Sequence, residues 1–361
     1  MRVVATKSLE PGSVLAKTIY NENGQALLQQ GVSFTERVIN RLKAYDITYV
    51  YIEDGRTEDV IAHSPISEQT RMKAIKSIKQ TFTAANQSFS SSSSYVLERP
   101  GSEMRGVVRS LMEELRNHRE VVSLLSDVFT YDDYIFTHSL NVTMYSLALG
   151  KELGLPPIQL EELGLGAILH DVGKISVPRE ILLKRGKLTE DEFQWIKTHS
   201  EAGFEMLRQS PNIPLLAAHC AYQHHERLDG SGYPRGIEGQ DIHVFGKILA
   251  IADVFDAVTS NRVYREAMLP HEGLEILYSG AGTLFDKDMV EAFRRCIAVY
   301  PNGLSVRLGD GRKGIVVKQH PHLCDRPTVR IINDDRTTGQ DLDLSKELNI
   351  MIANCHTTSV S

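Results

Sequence analysis

A helix spanning residues 245–258, FGKILAIADVFDAV, would be apolar around nearly its whole circumference. A helix without a polar face has to be buried among other elements, so we expect this segment to be central in a helical core. Asp253 stands inside it, and burying a carboxylate without a partner is very costly. A metal ion offsets that cost best, so Asp253 is the first candidate ligand.

Further histidines and carboxylates occur between about residues 130 and 300, where the hydrophobic periodicity is helical. His170 and Asp171 end the apolar stretch LGLGAIL, so they are expected to be buried as well. The candidates fall on five separate segments and are His138, His170, Asp171, His199, His224, His225 and Asp253. A single buried histidine is usually a hydrogen-bonded core residue, but this combination favours a metal site held rigidly by helices.

Five histidines and two carboxylates are mixed nitrogen and oxygen donors, which iron, manganese or zinc accept, whereas magnesium and calcium prefer oxygen. Seven donors exceed what one ion takes while it keeps a position for water. Two ions that share a carboxylate fit better. Asp171 is the expected bridge. The sequence therefore predicts two divalent cations per chain, iron or manganese ahead of zinc or other ions.

The stretch HHERLDGSGYP, residues 224–234, combines two of these donors with a glycine-rich turn. His224 and His225 are expected at the end of a helix. The glycines that follow permit backbone angles that other residues avoid, so the chain can turn sharply. The turn is expected to bring Tyr233 over the metal site, where its ring could stack on a base or its hydroxyl could contact phosphate.

The first 60 residues are expected to form a small α/β module. Two short apolar runs, residues 14–20 and 25–29, flank Asn23-Gly24, which is a strong hairpin signal. TERVINRLKAYD then places apolar residues on one helical face, and the strand-like ITYVYI follows. Nothing in this module carries chemistry, so a docking or regulatory role is expected.

Residues 61–102 are expected to hold a polar helix, residues 67–84, and a linker, because the run SFSSSSSY is typical of flexible or exposed segments. Apolar residues then repeat at helical spacing from Met104 to about residue 128. This long amphipathic helix fits a homodimer face and an intramolecular core contact equally well. It would lead the helical domain that carries the seven donors, which we place at residues 103–300.

Two further patterns complete the predicted fold. TEDE, residues 189–192, is a capping box that predicts a helix start. The buried stripe of that helix is expected to comprise Phe193, Ile196, Gly203 and Leu207, with His199 beside it. Residues 301–361 contain short strands joined by glycine and aspartate turns. The chain is therefore predicted to be mainly α, with a small N-terminal α/β module and a small C-terminal β appendix.

Composition limits the remaining function classes. A length of 361 residues suggests two or three domains, and a net charge of −6 argues against a DNA partner. No apolar run approaches the ~20 residues of a membrane span and no secretory signal is recognisable, so a cytoplasmic location is expected.

The four cysteines lack CxxC spacing and are interpreted as buried or idle thiols. They are Cys220, Cys296, Cys324 and Cys355.

Three stretches together resemble the HD-GYP family: HDVGK (170–174), HHERLDGSGYP (224–234) and IADVFDAVTSNRVYR (251–265). This family is the branch of the HD metal-dependent phosphohydrolases that typically hydrolyses the bacterial second messenger cyclic di-GMP. The resemblance covers about half the chain, and the combined motifs are highly specific. It implies an all-helical HD-type metallohydrolase core and makes residues 103–300 the expected HD-GYP catalytic domain.

The resemblance also implies roles for single residues. The seven donors match the family's metal ligands, and Lys174 matches a lysine that contacts phosphate. Tyr233, Arg262 and Arg265 match residues around the bound dinucleotide, and the two arginines are one helical turn apart if the helix continues. Members with three metals carry a glutamate four residues before the first histidine. Tyr134 occupies that position here, which favours two metals.

The implied reaction is hydrolysis of cyclic di-GMP to linear pGpG, with further cleavage to GMP slow or absent. A water shared by two cations loses much of its resistance to deprotonation and becomes a hydroxide that attacks phosphorus in line. Asp171 would bridge the cations, and Lys174 would neutralise charge as it builds. The acid that protonates the leaving oxygen is left open among Lys174, Glu226 and a metal-bound water.

Two other functions stay open at this point. The chain could hydrolyse another cyclic dinucleotide or nucleotide, which a substrate panel would reveal. It could also be a silent effector that binds cyclic di-GMP and contacts a partner, such as a diguanylate cyclase, through the GYP turn. Such an effector is expected to have lost metal ligands, and all seven are present here.

Overall fold

The fold is taken from a computed structural model, which describes residues 1–20, 25–45, 47–61, 64–91, 98–117, 134–184, 186–260, 267–333 and 337–357. Within these ranges the chain has a helical centre with small sheets near both ends, as the sequence predicts. None of the helices in the described ranges is both long and apolar enough to cross a membrane.

The N-terminal part is the expected small α/β module. It comprises β1 (Arg2–Ala5), β2 (Ile19–Tyr20), β3 (Ala26–Leu28), α1 (Glu36–Ala44) and β4 (Tyr49–Ile52). β1 pairs antiparallel with β4, and β2 pairs antiparallel with β3, so the predicted hairpin is present, although its Asn23-Gly24 turn lies outside the described residues. Thr35 caps α1 by accepting a hydrogen bond from the Val38 amide.

Two long helices follow, α2 (Glu68–Ser91) and α3 (Glu98–Asn117). The expectation of a linker across the serine run is wrong for its first part, because α2 continues through residues 88–91. Serine costs a helix only a few tenths of a kcal/mol per residue, about 0.5 relative to alanine, so a run of it does not by itself end one. Residues 92–97 and 118–133, which include the rest of that run and the predicted continuation of α3, lie outside the described residues.

The apolar faces of α2 and α3 are buried in the main core. Ile78 on α2 and Val108 and Leu111 on α3 belong to one cluster with residues of the later helices. The intramolecular alternative therefore accounts for the apolar stripe of α3, and a homodimer is not needed to explain it.

The remaining helices form the centre of the molecule. They are α4 (Tyr134–Glu152), α5 (Pro157–Leu169), α6 (Arg179–Leu182), α7 (Glu190–Arg208), α8 (Leu215–Gln223), α9 (Val244–Thr259), α10 (Pro270–Ser279) and α11 (Lys287–Cys296). A short 3-10 helix, Val172–Ser176, follows α5. α9 is buried on nearly all sides, as its sequence predicts. The predicted capping box of Thr189 and Glu192 starts α7.

A five-stranded antiparallel sheet ends the described chain. It comprises β5 (Ser305–Leu308), β6 (Lys313–Lys318), β7 (Thr328–Ile332), β8 (Thr338–Asp343) and β9 (Ile352–His356), in the order β8-β7-β6-β5-β9. The N-terminal module touches this sheet directly, because the Val3 amide donates to the Gly303 carbonyl at 2.9 Å and the Ala5 amide to the Thr357 carbonyl at 2.8 Å.

Candidate metal centre

The structure brings all seven predicted donors together in the helical core. His138 lies on α4, His199 on α7 and Asp253 on α9. The other four stand directly after helices: His170 and Asp171 after α5, and His224 and His225 after α8. Six of the seven side chains are buried and His225 is partly exposed, so five distant segments share one interior site.

The donors form two triads that could each hold a metal ion. One triad is His199, His224 and His225, and the other is His138, His170 and Asp171. In each triad the ligand atoms lie within 4.8 Å of one another. The Nε2 atoms of His199 and His224 face each other at 3.1 Å. The arrangement suits two neighbouring ions better than one.

Asp171 belongs to the triad of His138 and His170 and also faces the other triad. Its Oδ2 atom is 3.4 Å from His170 Nε2 and 3.5 Å from His138 Nε2. Its Oδ1 atom is 3.4 Å from His199 Nε2 and 3.9 Å from His224 Nε2. Each oxygen thus faces a different pair of histidines, one pair from each triad.

Asp253 also faces both triads. Its Oδ1 atom lies 3.0 Å from His138 Nε2, and its Oδ2 atom lies 3.6 Å from His225 Nδ1. The apolar helix that carries it therefore delivers a single carboxylate to the centre, as its composition predicts.

Three of the histidines are held from behind by backbone carbonyls. The Nδ1 atoms of His170, His199 and His224 lie 2.7, 2.6 and 2.9 Å from the carbonyl oxygens of the residues three positions earlier. A carbonyl only accepts, so each Nδ1 carries the proton and each Nε2 is left as a lone pair directed at the centre. Outer contacts of this kind orient metal-binding imidazoles in proteins.

Asp256 holds the fourth histidine and was missed by the sequence reasoning. Its Oδ2 atom is 2.7 Å from His138 Nδ1, and its Oδ1 atom accepts hydrogen bonds from Asn141 at 2.9 Å and Ser260 at 2.8 Å. The signal that identified Asp253 applies equally to Asp256, since both are carboxylates in the same apolar helix. Their spacing of three residues places one on the centre and the other behind His138.

Burial and neighbouring charges set the protonation of the donors. Burial lowers the pKa of all four of the other histidines. The pKa of His170 is lowered, that of His199 falls to about 4, and those of His224 and His225 fall well below the usual range. Burial would raise the pKa of Asp171, but Lys174 and the surrounding histidines outweigh it and hold this pKa well below its usual range. Neutral imidazoles and ionised carboxylates are the forms that bind metal ions.

His138 differs from the other histidines. Burial lowers its pKa, but hydrogen bonds to Asp253 and Asp256 outweigh burial and raise the pKa to about 9. An imidazole between two carboxylates is protonated in the absence of another cation, and a bound metal ion would take the place of that proton.

Two buried atoms fit a metal ion directly. Within the described part of the chain, Nε2 of His170 and Oδ1 of Asp171 are buried and make no hydrogen bond. A buried polar atom without a partner is costly, and a missing ion is one of its recognised explanations. The residues present therefore match a site for divalent cations.

Lys174 lies at the edge of the centre. Its Nζ atom donates to Asp171 Oδ2 at 2.5 Å, and its side chain is mostly buried. The 3-10 helix that carries it packs tightly on α7. The backbones are so close that a side chain at Gly173 would overlap the His199 carbonyl. This glycine thus lets Lys174 and Asp171 approach His199.

The GYP loop, residues 226–237, folds back over the triad of His199, His224 and His225. The Tyr233 amide donates to the His225 carbonyl at 3.2 Å, and the Tyr233 ring centroid lies 4.6 Å from that of His225. Gly232 permits the close approach, since a Cβ there would lie 2.5 Å from the backbone of residues 225–227. Tyr233 therefore covers the site, as the sequence predicts, and it is followed by a cis peptide bond to Pro234.

Glu226 has a structural task in this loop. Its buried carboxylate accepts hydrogen bonds from the backbone amides of Arg235 at 2.9 Å and Ile237 at 3.2 Å. Both oxygens are thereby engaged in holding the loop. Of the three candidates for the acid that protonates the leaving oxygen, Glu226 is the one that this geometry disfavours.

The structure does not describe the side chains of three residues named in the sequence analysis. Arg262 and Arg265 lie outside the described residues. Tyr134 begins α4, but its side chain is also outside the described part.

The prediction that Phe193 is buried is wrong. Its side chain is 39% exposed, and the buried face of α7 begins only at His199 and continues through Gly203 and Leu207. The first turns of α7 extend beyond the core, so a residue that fits the apolar period there meets solvent. The Phe193 ring lies 6.4 Å from the Tyr233 ring, beside the metal centre.

Comparisons with known proteins agree with this site. A family model described as HD domain matches residues 110–289, and one described as KOW domain associated with HD domain matches residues 305–359. A cyclic di-GMP phosphodiesterase of Pseudomonas aeruginosa is 36% identical over 223 residues, which are 62% of this chain and 53% of that protein.

Two further relatives differ in substrate. A cyclic di-GMP phosphodiesterase response regulator of Xanthomonas campestris is 39% identical over 202 residues, covering 55% of this chain and 53% of that protein. A 3'3'-cGAMP-specific phosphodiesterase of Vibrio cholerae is 42% identical over 144 residues, covering 40% of this chain and 33% of that protein. The chain spans about half the length of the two cyclic di-GMP relatives and about a third of the length of the 3'3'-cGAMP relative.

Proposed function

We propose that this chain, which belongs to the HD-GYP family of HD-domain proteins, hydrolyses the phosphodiester bonds of cyclic di-GMP. The observation that carries the proposal is the pair of donor triads that meet at Asp171 beneath the GYP loop. Relatives named as cyclic di-GMP phosphodiesterases support the choice of substrate.

The two triads and Asp253 would hold two divalent cations, and the nitrogen-rich donor set favours iron or manganese, with zinc as an alternative. Cations bound there would supply Lewis acidity toward a phosphoryl oxygen and lower the pKa of a coordinated water. Asp171 would be the residue shared by the two cations, since its oxygens face histidines of both triads.

Lys174 is proposed to act on the phosphate. Its ammonium group is held by Asp171 beside both triads, where it can donate to a phosphoryl oxygen as negative charge builds. With Glu226 engaged by the loop backbone, Lys174 is also the side chain best placed to protonate the leaving oxygen. Tyr233 would lie against the bound dinucleotide.

Linear pGpG is the proposed main product. The described centre offers seven donors, enough for two cations, and the position where some family members carry a further glutamate is occupied by Tyr134. A phenol is a poor ligand near neutral pH because its proton leaves with a pKa of about 10. Less positive charge would then be available to grip the terminal phosphate of pGpG for a second cleavage.

Hydrolysis of 3'3'-cGAMP is a second candidate, and a specific observation favours it. A 3'3'-cGAMP-specific phosphodiesterase matches 40% of this chain at 42% identity. The two cyclic dinucleotides share the phosphodiester ring and differ in one base, so the metal centre would act on both.

Anaerobic purification, metal analysis and product identification test the proposal. We expect two cations per chain, release of pGpG from cyclic di-GMP and slower turnover of 3'3'-cGAMP. A matched preparation of His199→Ala shows whether the activity comes from this protein. Failure of the metal-loaded protein to cleave cyclic di-GMP would refute the proposal, and faster cleavage of 3'3'-cGAMP would establish the second candidate in its place. GMP appearing as fast as cyclic di-GMP disappears would refute the pGpG product.

A further inference from the structure

Beside the metal centre, three side chains form a small surface that we call the aromatic lip: Phe193, Lys197 and Tyr233. The rings of Phe193 and Tyr233 lie edge to face with centroids 6.4 Å apart. The Lys197 ammonium nitrogen is 4.8 Å from the Phe193 centroid and 5.7 Å from the Tyr233 centroid. A cation thus rests against both rings.

The lip is joined to the metal centre through Tyr233. The Tyr233 ring lies 4.6 Å from the His225 ring and 6.4 Å from the His199 ring. A ligand whose phosphate reaches the triads therefore has Tyr233 beside it and Phe193 just beyond. The lip is therefore within reach of the rest of such a ligand.

Phe193 is exposed and lies outside the buried face of α7. The buried face of α7 consists of His199, Ser200, Gly203, Met206 and Leu207, and Phe193 is not part of it. A single exposed aromatic residue is ordinary on a protein surface. One that is held by a cation and a second ring next to a phosphate-binding centre has the composition of a base-stacking surface.

We infer that the aromatic lip binds a purine base of the substrate, with Phe193 stacking on the base and Lys197 selecting guanine. Every base has a π face, so stacking on Phe193 tolerates any of them. Guanine differs from adenine in presenting the acceptors O6 and N7 on one edge, to which a lysine ammonium group can donate. The inference rests on the proposed function, since it takes the substrate to be a cyclic dinucleotide.

Substitutions of Phe193 and Lys197 are therefore expected to change KM in different ways. Phe193→Ala should raise KM for cyclic di-GMP and for cyclic di-AMP by a similar factor, about tenfold for the loss of one stacked base. Lys197→Met keeps the apolar stem and removes the charge. It should raise KM for cyclic di-GMP while leaving that for cyclic di-AMP nearly as before, so that discrimination between the two falls.

Trp195 provides the matched control. It lies two residues from Phe193 on the same helix and is 53% exposed, and within the described residues its ring does not contact Tyr233. Trp195→Ala should leave KM for both dinucleotides unchanged. Phe193→Tyr, which keeps a ring, should restore the value of the unsubstituted protein, and metal content and circular dichroism should be the same in all variants.

The outcomes separate the inference from the proposed function. If the unsubstituted, metal-loaded protein cleaves no cyclic dinucleotide, the proposed function fails and the inference falls with it. If it cleaves cyclic di-GMP but KM in Phe193→Ala equals that in Trp195→Ala, the stacking role is refuted while the proposed function stands. An equal rise of KM for both dinucleotides in Lys197→Met would refute guanine selection.

Discussion

Asp171 is central to the site, because its two oxygens approach four of the five histidines, whereas those of Asp253 approach two. The oxygens approach four histidine Nε2 atoms at 3.4 to 3.9 Å, and Lys174 donates to one of them. The carboxylate is fully buried, so its charge is stabilised by these neighbours rather than by water. If each triad held a cation, the negative charge of Asp171 would offset the repulsion between the two.

Asp171→Ala is accordingly predicted to lose both activity and most of the bound metal. The measurement is metal per chain by elemental analysis, together with turnover of cyclic di-GMP. Asp229→Ala, which removes an exposed carboxylate of the neighbouring GYP loop, is the control and should keep its metal. Two cations per chain with near-normal turnover in Asp171→Ala would contradict the bridging role.

Asp256 is predicted to affect metal affinity without touching a metal ion. Asp256→Asn keeps the shape but replaces the ionised acceptor behind His138, and losing such an outer contact weakens metal affinity by about 10- to 100-fold. A competition titration with a chelating dye measures this. Asp286→Asn, at the start of α11 and remote from the triads, controls for a general loss of stability. Equal affinities in the two variants would contradict the prediction.

At this scale the sequence predicted the donors that the structure brings together, and it missed Asp256, which holds His138 from behind. The seven donors were recognisable because charged or polar residues stand in apolar helical segments. Asp256 has the same signal, but its partner His138 is 118 residues away, and no local pattern shows that pairing. Phe193 was wrongly placed because periodicity identifies a helical face without showing where the neighbouring elements end.

Among the elements, the GYP loop depends on a close backbone approach and on one buried carboxylate. Glu226 accepts from two loop amides, and Gly232 lies against the backbone of residues 225–227. Because Tyr233 follows Gly232 directly, its position over His225 depends on that contact. The glycine-rich motif is thus a packing requirement as well as a turn.

Gly232→Ala is predicted to impair catalysis by displacing this loop. The added Cβ would lie 2.5 Å from the Arg227 nitrogen and from the His225 carbonyl oxygen, so the loop must move. A misplacement of about 1 Å can cost 100-fold in rate, and a fall of about that size in kcat/KM is expected. The exposed neighbour Ser231→Ala is the control. Unchanged kcat/KM with unchanged thermal stability in Gly232→Ala would show that the loop position is not critical.

Helices with strong periodicity were predicted well, whereas composition misled at the serine run. A capping box located the start of α7, and an apolar sequence around nearly the whole circumference located α9, because both signals are local. The end of α2 was placed too early because a serine-rich stretch resembles a linker in composition. Tertiary packing of Ile75, Ile78 and Phe82 stabilises α2, and the sequence of the run itself does not reveal it.

In the whole molecule, the sheet of β1 and β4 in the N-terminal module is in contact with the five-stranded sheet of the C-terminal part. Backbone hydrogen bonds join β1 to residues 303 and 357, and the Tyr49 hydroxyl donates to the Ala267 carbonyl at 3.2 Å beside the helical domain. Their individual strands were predictable from alternation and turn residues. Their association was not, since it joins segments some 300 residues apart through backbone hydrogen bonds, which no pattern of side chains indicates.

Arg330 on β7 makes a further link between the two ends. Its guanidinium donates to both Asp59 oxygens at 2.6 and 2.9 Å, to Asp341 at 2.8 and 3.0 Å, and to the Arg56 carbonyl at 3.1 Å. The Arg330 side chain is mostly buried, whereas both carboxylates are substantially exposed. Hydrogen bonding to Arg330 lowers the pKa of Asp59, although the slight burial of that carboxyl opposes it.

Arg330→Met is predicted to lower the free energy of unfolding by about 1 kcal/mol near neutral pH, the upper end for exposed ion pairs, and to make the segment near Arg56 and Asp59 more sensitive to proteolysis. The folded-state pKa of Asp59 is depressed, so its contribution is present above the unfolded value of about 3.9 and is lost as pH falls through the lower folded value. The stability difference between the two proteins should therefore shrink in acid and in high salt.

Arg312→Met, which removes an ion pair to Asp310 within one β-turn, is the matched control, since that ion pair joins no distant segments. Denaturant unfolding at several pH values, with limited proteolysis of the native state, measures both effects. If the two variants are cleaved at the same rate near residues 56–59, Arg330 does not hold the ends of the chain together.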